Sequence, residues 1–171
     1  EERELDDIAD ELYAARPDEF SALRDEQIKK AKAEKKSGLA KELGKLRKPT
    51  ISAWLVNLLW RDQREVMEQL FDLSLEMSRA QAEAAGPEMH SLMTQRRQVE
   101  QALLRQGRAL ARDRGVDVTD NVEREAQETL AAALAQPEVA DEVRTGRLVK
   151  AVSYAGFGGG VAVGGAPPSG A

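Results

Sequence analysis

The sequence predicts an all-α fold built around a long antiparallel helical hairpin, with N-terminal helices and a C-terminal helix pair packed along it. Apolar residues recur every three to four positions through most of the chain, which is the spacing of one helix face. Leu and Ala dominate over Val and Ile, and aromatic residues make up only 4% of the chain. Prolines and glycines fall between the periodic segments, where helices begin and end. A chain of 171 residues is expected to form one domain, which we place at 1–155.

Three helices are expected in the first third of the chain. The first covers about 2–15, where apolar residues form one stripe. The second begins at Pro17, because proline suits the first turn of a helix. A break is expected at Ser37-Gly38, and a short helix should follow over 39–46.

The hairpin is expected to occupy the middle of the chain. Its first arm covers about 50–84 as one straight helix, about 52 Å long. The turn should centre on Gly86, and the second arm covers 88–114. Because the link is short, the arms should lie antiparallel, which brings Leu70 close to Leu103.

The C-terminal part should form a helix pair and then a tail. Thr119 or Asp120 is expected to cap the first helix of the pair, and Pro137 to begin a short second helix that Gly146 ends. Seven of the thirteen glycines lie in 156–171. So little apolar surface there predicts a flexible Gly/Pro/Ala tail.

The charge is strongly segregated along the chain. Residues 1–28 hold eleven acids and three arginines, for a net −8, and residues 29–48 hold nine bases and two glutamates, for +7. This basic block is either a binding surface for phosphates or an acidic partner, or a solvated face that neutralises the adjacent acidic helix. Under the first interpretation the candidate nucleic-acid contacts are Lys29, Lys32, Lys36, Lys45, Arg47, Lys48, Thr50 and Ser52.

A second hypothesis is a helix-turn-helix at 39–57, as in a DNA-binding transcriptional regulator. A short helix, a turn near Gly44 and a second helix from Thr50 follow one another as in that motif. Thr50 and Ser52 would then meet phosphates or bases. Two features oppose it: Ile51 falls seven residues after Gly44, one more than the motif's spacing, and the second helix is too long. A purely structural helical corner is the alternative.

The residues available for catalysis are few. The chain has no cysteine and a single histidine, His90, which excludes thiol catalysis, zinc–thiolate sites and a di-iron bundle with paired Glu-x-x-His motifs. No convincing strand precedes the C-terminal glycines, and they lack the Gly-Lys-Ser/Thr of a phosphate loop. We expect no enzyme activity, no cofactor, no metal and no small-molecule substrate.

The two tryptophans are expected to play different parts. Trp54 shares the apolar stripe of its helix and should lie in the core. Trp60 is offset from that stripe and is the candidate exposed contact for a protein partner, because tryptophan is enriched at the centres of interfaces.

No membrane association is expected. The longest strongly apolar stretch, 51–60, is interrupted by Asn57 and would be about 15 Å long as a helix, half the thickness of a bilayer core. The chain begins at Glu1, which indicates a processed or excised segment, and its acidic start is unlike a signal peptide.

Several strings along the chain carry a resemblance to a known group of proteins. They are ELYAARPDEF at 11–20, LRKPT at 46–50, AWLVNLL at 53–59, GRL at 146–148 and SYAGFG at 153–158. Together they resemble a family of uncharacterised actinobacterial helical proteins, over most of 11–158. The resemblance implies a cytoplasmic helical protein whose longer members continue into charged, alanine-rich coiled coil. It carries over no functional residues, because no activity is established for the family.

These observations predict a non-enzymatic helical scaffold or interaction module. A protein partner or self-association is expected, with nucleic acid as a further partner through 29–48. The alternative function is a DNA-binding transcriptional regulator that uses 39–57.

Overall fold

The computed structural model describes residues 2–154 and 161–163, and within them the fold is all-α as predicted. The helices are α1 (Glu2–Ala14), α2 (Phe20–Ala33), α3 (Ser37–Gly44), α4 (Ile51–Asp62), α5 (Arg64–Ala82), α6 (Gly86–Asp113), α7 (Asp120–Ala135) and α8 (Pro137–Arg144), with a 3-10 turn at Pro17–Glu19. In this part of the chain no helix is both long enough and apolar enough to cross a bilayer.

Helix α4 lies at the centre of the fold. All nine residues from Ser52 to Trp60 are buried, because α1, α6, α7 and α8 pack around the helix. Helix α6 approaches α4 closely at Gly107, where a Cβ atom would lie 3.0 Å from Leu55 Cδ1 and 3.2 Å from Leu59 Cδ2. Glycine at this position lets α4 and α6 come together.

One buried polar side chain fastens the segment after α8 to α4. Asn57 is fully buried; its Nδ2 donates to the carbonyl oxygen of Leu148 at 2.9 Å, and its Oδ1 accepts from the Leu148 N–H at 2.8 Å. Nearby, the Thr50 N–H donates to the carbonyl oxygen of Val149 at 2.9 Å, and the Val152 N–H donates to the Thr129 hydroxyl at 2.9 Å. The backbone N–H and C=O groups of this segment therefore find hydrogen-bond partners on α4, on the residue that precedes it and on α7, much as the backbone of a strand does on neighbouring strands.

The antiparallel hairpin is confirmed, but its first arm is two helices, so the prediction of one straight rod over 50–84 is wrong. Gln63 leaves the helical conformation, with φ −128° and ψ 39°, and separates α4 from α5. Helix α4 packs against α1, α6, α7 and α8, whereas α5 packs mainly against α6. The ion pair of Asp62 with Arg114, at 2.7 Å, lies beside this break. Leu70 and Leu103 are both buried in the same core.

The prediction that the reversal between the arms centres on Gly86 is wrong, because Gly86 is already the first residue of α6. The left-handed residue is Ala84, with φ +54°. The N–H of Ala85 then donates to the carbonyl oxygen of Ala80 at 2.9 Å, which closes the end of α5. A similar reversal at Lys35, with φ +60°, separates α2 from α3, so the predicted break at Ser37-Gly38 lies slightly too late.

The other helix ends follow the sequence signals. The Thr119 hydroxyl caps α7 by accepting from the Val122 N–H, Pro137 begins α8, and Gly146 follows it with φ +68°. These three predictions are confirmed.

Two short strands were not foreseen. β1 (Val152–Tyr154) and β2 (Val161–Val163) pair antiparallel, with Ser153 opposite Ala162. β1 contains one valine and one tyrosine and β2 two valines, and both residue types favour strands. The flexible tail predicted at 156–171 otherwise lies outside the described residues.

Replacing Asn57 tests the link between α4 and the segment after α8. Asn57→Leu keeps the branched shape and the number of side-chain heavy atoms, but leaves the N–H and the carbonyl of Leu148 without hydrogen-bond partners. We expect the free energy of unfolding, measured with urea, to fall by about 2–4 kcal/mol. The control Gln101→Ala, on the exposed side of α6, should change it by less than about 0.5 kcal/mol. An Asn57→Leu protein as stable as the wild type would contradict this account.

Replacing alanine by glycine should have opposite effects at two positions. Ala84→Gly removes the steric cost of a left-handed alanine and should raise the free energy of unfolding by about 1 kcal/mol. Ala109→Gly, at an exposed position within α6, should lower it by about 1 kcal/mol. Thermal unfolding measures both, and a destabilised Ala84→Gly protein would show that the reversal lies elsewhere.

Candidate binding surface on helices α2 and α3

Helices α2 and α3 pack against each other over a small core of their own. The buried members of this core are Ala31, Leu39, Ala40 and Leu43, and Leu5 and Ile8 of α1 cover them from one side. Because the apolar residues of both helices turn inward, the lysines between them in sequence are left on the outside. This arrangement gives the basic block its exposure.

Most of the predicted contact residues are exposed to solvent. Lys29, Lys32, Lys45, Arg47 and Lys48 are exposed, whereas Lys36 is half-buried. Three further lysines on the same helices and turn, which were not among the predicted contacts, are also exposed: Lys30, Lys35 and Lys41. Of these, Lys30 lines a cleft together with the acidic Glu4 and Asp7 of α1. We refer to the exposed side chains of Lys29, Lys32, Lys35, Lys41, Lys45, Arg47 and Lys48 as the basic surface.

Only two lysines of the block form ion pairs among the described residues. Lys36 Nζ lies 2.9 Å from Glu4 Oε1 of α1 and 3.2 Å from Glu34 Oε2. The hydrogen bond to Glu4, followed by that to Glu34, raises the pKa of Lys36. Lys45 Nζ pairs with Glu42 Oε1 at 2.9 Å. The interpretation that the block neutralises the acidic helix thus has direct support at Lys36 alone.

The acidic residues of α1 pair mainly with arginines elsewhere. Arg147, in the segment after α8, lies 3.2 Å from Asp6 and 3.0 Å from Asp10. Arg61 of α4 donates to the carbonyl oxygen of Tyr13 at 3.3 Å and lies 3.9 Å from Asp10. These pairs hold α1 against the body of the protein and leave the basic surface uncovered.

The linker between α3 and α4 is fixed from its inner side. The Tyr13 hydroxyl donates to the carbonyl oxygen of Arg47 at 2.9 Å, and Arg24 Nη1 donates to the carbonyl oxygen of Leu46 at 2.9 Å. Burial raises the pKa of the Tyr13 hydroxyl above its usual value. The backbone near Arg47 and Lys48 is thereby held in place while their charged ends stay in solvent.

A groove of about 390 Å³ runs between α2 and α3. It is lined by Ile28, Lys32, Ser37, Ala40, Lys41 and Gly44. A Cβ atom added to Gly44 would meet no other atom within 4 Å, so the space above this residue is open. The groove therefore combines an apolar floor with two exposed lysines.

Ser52 was wrongly predicted as a nucleic-acid contact. It is only 2% exposed, and its hydroxyl donates to Glu125 Oε2 of α7 at 2.9 Å. Thr50 is exposed, but its Oγ1 accepts from the Ala53 N–H at 3.2 Å and caps α4. With Ser52–Trp60 buried, α4 has no free face to lay in a DNA groove, which argues against a helix-turn-helix at 39–57.

The exposed role expected for Trp60 is also wrong. Trp60 is 7% exposed, because Gly146 lies against its ring and the Arg64 guanidinium stacks over it at 4.7 Å. Trp54 lies in the core as predicted, where its Nε1 donates to the carbonyl oxygen of Ala15 at 2.8 Å.

His90 is exposed on α6, and no metal-binding group of three acidic, histidine or cysteine side chains occurs in 2–154 or 161–163.

No family model, curated protein or solved structure matches this chain. The resemblance to an actinobacterial family stays a prediction.

Alkaline pH should reveal the buried Tyr13 hydroxyl. Folded Tyr13 keeps its proton above the range near pH 10 in which an unfolded tyrosine loses it, so stability is full below that range and falls as the pH rises through it. In Tyr13→Phe the free energy of unfolding should fall less steeply between about pH 9.5 and 11. Urea unfolding at stepped pH measures the slopes, and equal slopes for both proteins would contradict the assignment.

Proposed function

We propose that the protein is a non-enzymatic helical interaction module whose binding site is the basic surface and whose partner is anionic. One observation carries the proposal. Lys29, Lys32, Lys35, Lys41 and Lys48 are exposed on neighbouring helices and turns, and none of them forms an ion pair among the described residues. A solvated face that served only to balance α1 would pair with it more widely.

The chemistry of the basic surface favours recognition of charge over recognition of sequence. Lysine presents a mobile, strongly hydrated point charge and lacks the planar fork of arginine. No aromatic side chain lies in 29–48, so stacking on unpaired bases is not available there. The surface should therefore attract anionic partners at long range and should be strongly sensitive to salt.

Nucleic acid and an acidic protein are the two partner classes that this charge fits. Lysine contacts to phosphates would give affinity that falls steeply with salt and varies little with sequence. An acidic protein would share the salt dependence, but would also need apolar contacts to reach a comparable affinity. The groove between α2 and α3 offers such apolar contacts through Ile28 and Ala40.

Charge reversal tests the proposal with heparin as a polyanionic probe. Lys29→Glu, Lys32→Glu and Lys41→Glu, combined in one protein, should lower heparin affinity by at least about tenfold at low salt. Fluorescence anisotropy over a salt series measures the affinity and its salt slope.

The matched control changes the same charge on another helix. Arg97, Arg105 and Arg112 are exposed on α6 and form no ion pair among the described residues, so Arg97→Glu, Arg105→Glu and Arg112→Glu in one protein should alter heparin affinity by less than about threefold. Circular dichroism verifies that both proteins keep their helices. Equal losses in the two proteins, or no loss in either, would refute the basic surface as the binding site.

A further inference from the structure

We propose that the groove between α2 and α3 receives an amphipathic helix from a protein partner, with acidic residues along both edges of its apolar face. The inference rests on the proposed function, because the groove lies within the basic surface and two of its lysines form the groove walls.

The floor of the groove provides apolar contact. Ile28 is half-buried and Ala40 is 6% exposed, so both present carbon surface next to the small core below them. Gly44 extends this floor without a side chain, and the space above it is free. An apolar side chain of a partner can enter here without displacing any atom of the protein.

The walls of the groove carry the charge. Lys32 on α2 and Lys41 on α3 line it, both are exposed, and neither forms an ion pair among the described residues. A helix with its apolar residues on the floor would bring glutamates or aspartates at its flanks to these two ammonium groups. Charge complementarity therefore selects an acidic occupant.

The occupant is a helix because the groove offers only helix surfaces. Helices α2 and α3 do not present the row of unpaired N–H and C=O groups along a sheet edge that an extended peptide would join. An amphipathic helix instead matches a groove between two helices through apolar residues at i, i+3, i+4 and i+7. Nucleic acid would leave the apolar floor without a matching group, since phosphates seek only the lysines.

A designed peptide provides the probe. It is about 18 residues long, with leucines at i, i+3, i+4 and i+7 and glutamates at the flanking positions. A second peptide of the same composition spreads the leucines around the helix. Fluorescence anisotropy measures the binding of both peptides, of a 20-base-pair DNA duplex (about two helical turns) and of heparin.

The diagnostic variant fills the groove without changing its charge. Gly44→Leu places a side chain in the open space, and leucine favours the helix more than glycine does, so the melting temperature should stay level or rise. Gly38→Leu is the matched control, because Gly38 also has open space above it and lies outside the groove lining. Lys32→Ala with Lys41→Ala removes the walls and provides a second, independent variant.

We expect the amphipathic peptide to bind the wild type, and Gly44→Leu to weaken it at least about tenfold, with Gly38→Leu within about twofold. The double lysine variant should weaken the same peptide and flatten its salt dependence, while Gly44→Leu should keep the heparin affinity of the wild type.

Three results would overturn the inference: no detectable binding of the amphipathic peptide, equal binding of the two peptides, or equal peptide binding by Gly44→Leu and wild type. Weaker duplex binding by Gly44→Leu, with no peptide binding, would assign the groove to nucleic acid instead. In each case loss of heparin binding on charge reversal would still uphold the proposed function. If charge reversal does not lower the heparin affinity, both the proposed function and the inference about the groove are refuted.

Discussion

The burial of α4 is the constraint on which the rest of the structure depends. Nine consecutive residues of this helix lie out of solvent, and a helix that is apolar on all sides must be enclosed by other elements. Its polar side chains then need hydrogen-bond partners inside the protein. Asn57 bonds to both the N–H and the carbonyl oxygen of Leu148, and the Ser52 hydroxyl donates to Glu125. Through these bonds the core also fixes the path of the chain after α8 and the position of α7.

The placement of charge follows from the same constraint. Helix α1 covers α4, so its acids meet the arginines at the edge of that contact, Arg61 and Arg147. Helices α2 and α3 have a separate small core and are needed less for covering α4. Their lysines are consequently left in solvent. A surface that contributes little to folding is free to serve in binding.

Local signals in the sequence were sufficient for the helices and many of their ends. Periodicity predicted the helical segments, and Thr119, Pro137 and Gly146 marked ends because capping and left-handed turns need those residue types. No glycine, proline or capping side chain stands at Gln63, Lys35 or Ala84, so the sequence holds no local signal for the break or for the two reversals. The burial of Trp60 and Ser52 was likewise not predictable from spacing, because partners distant in sequence, near Gly146 and Glu125, cover them. Charge alone identified the basic block at 29–48, although Lys35 and Lys41 were not singled out within it, whereas the groove depends on how α3 packs on α2.

Hydrogen exchange of backbone amides in the native protein tests the central position of α4 most directly. If α4 is enclosed as described, the amides of Val56–Trp60 should exchange only through global unfolding, with a free energy equal to that measured by urea. The amides of α2 and α3 should exchange through smaller openings at lower free energy. Exchange from α4 as fast as from α2 would contradict the account, because a helix that opens locally cannot be what holds the other elements in place.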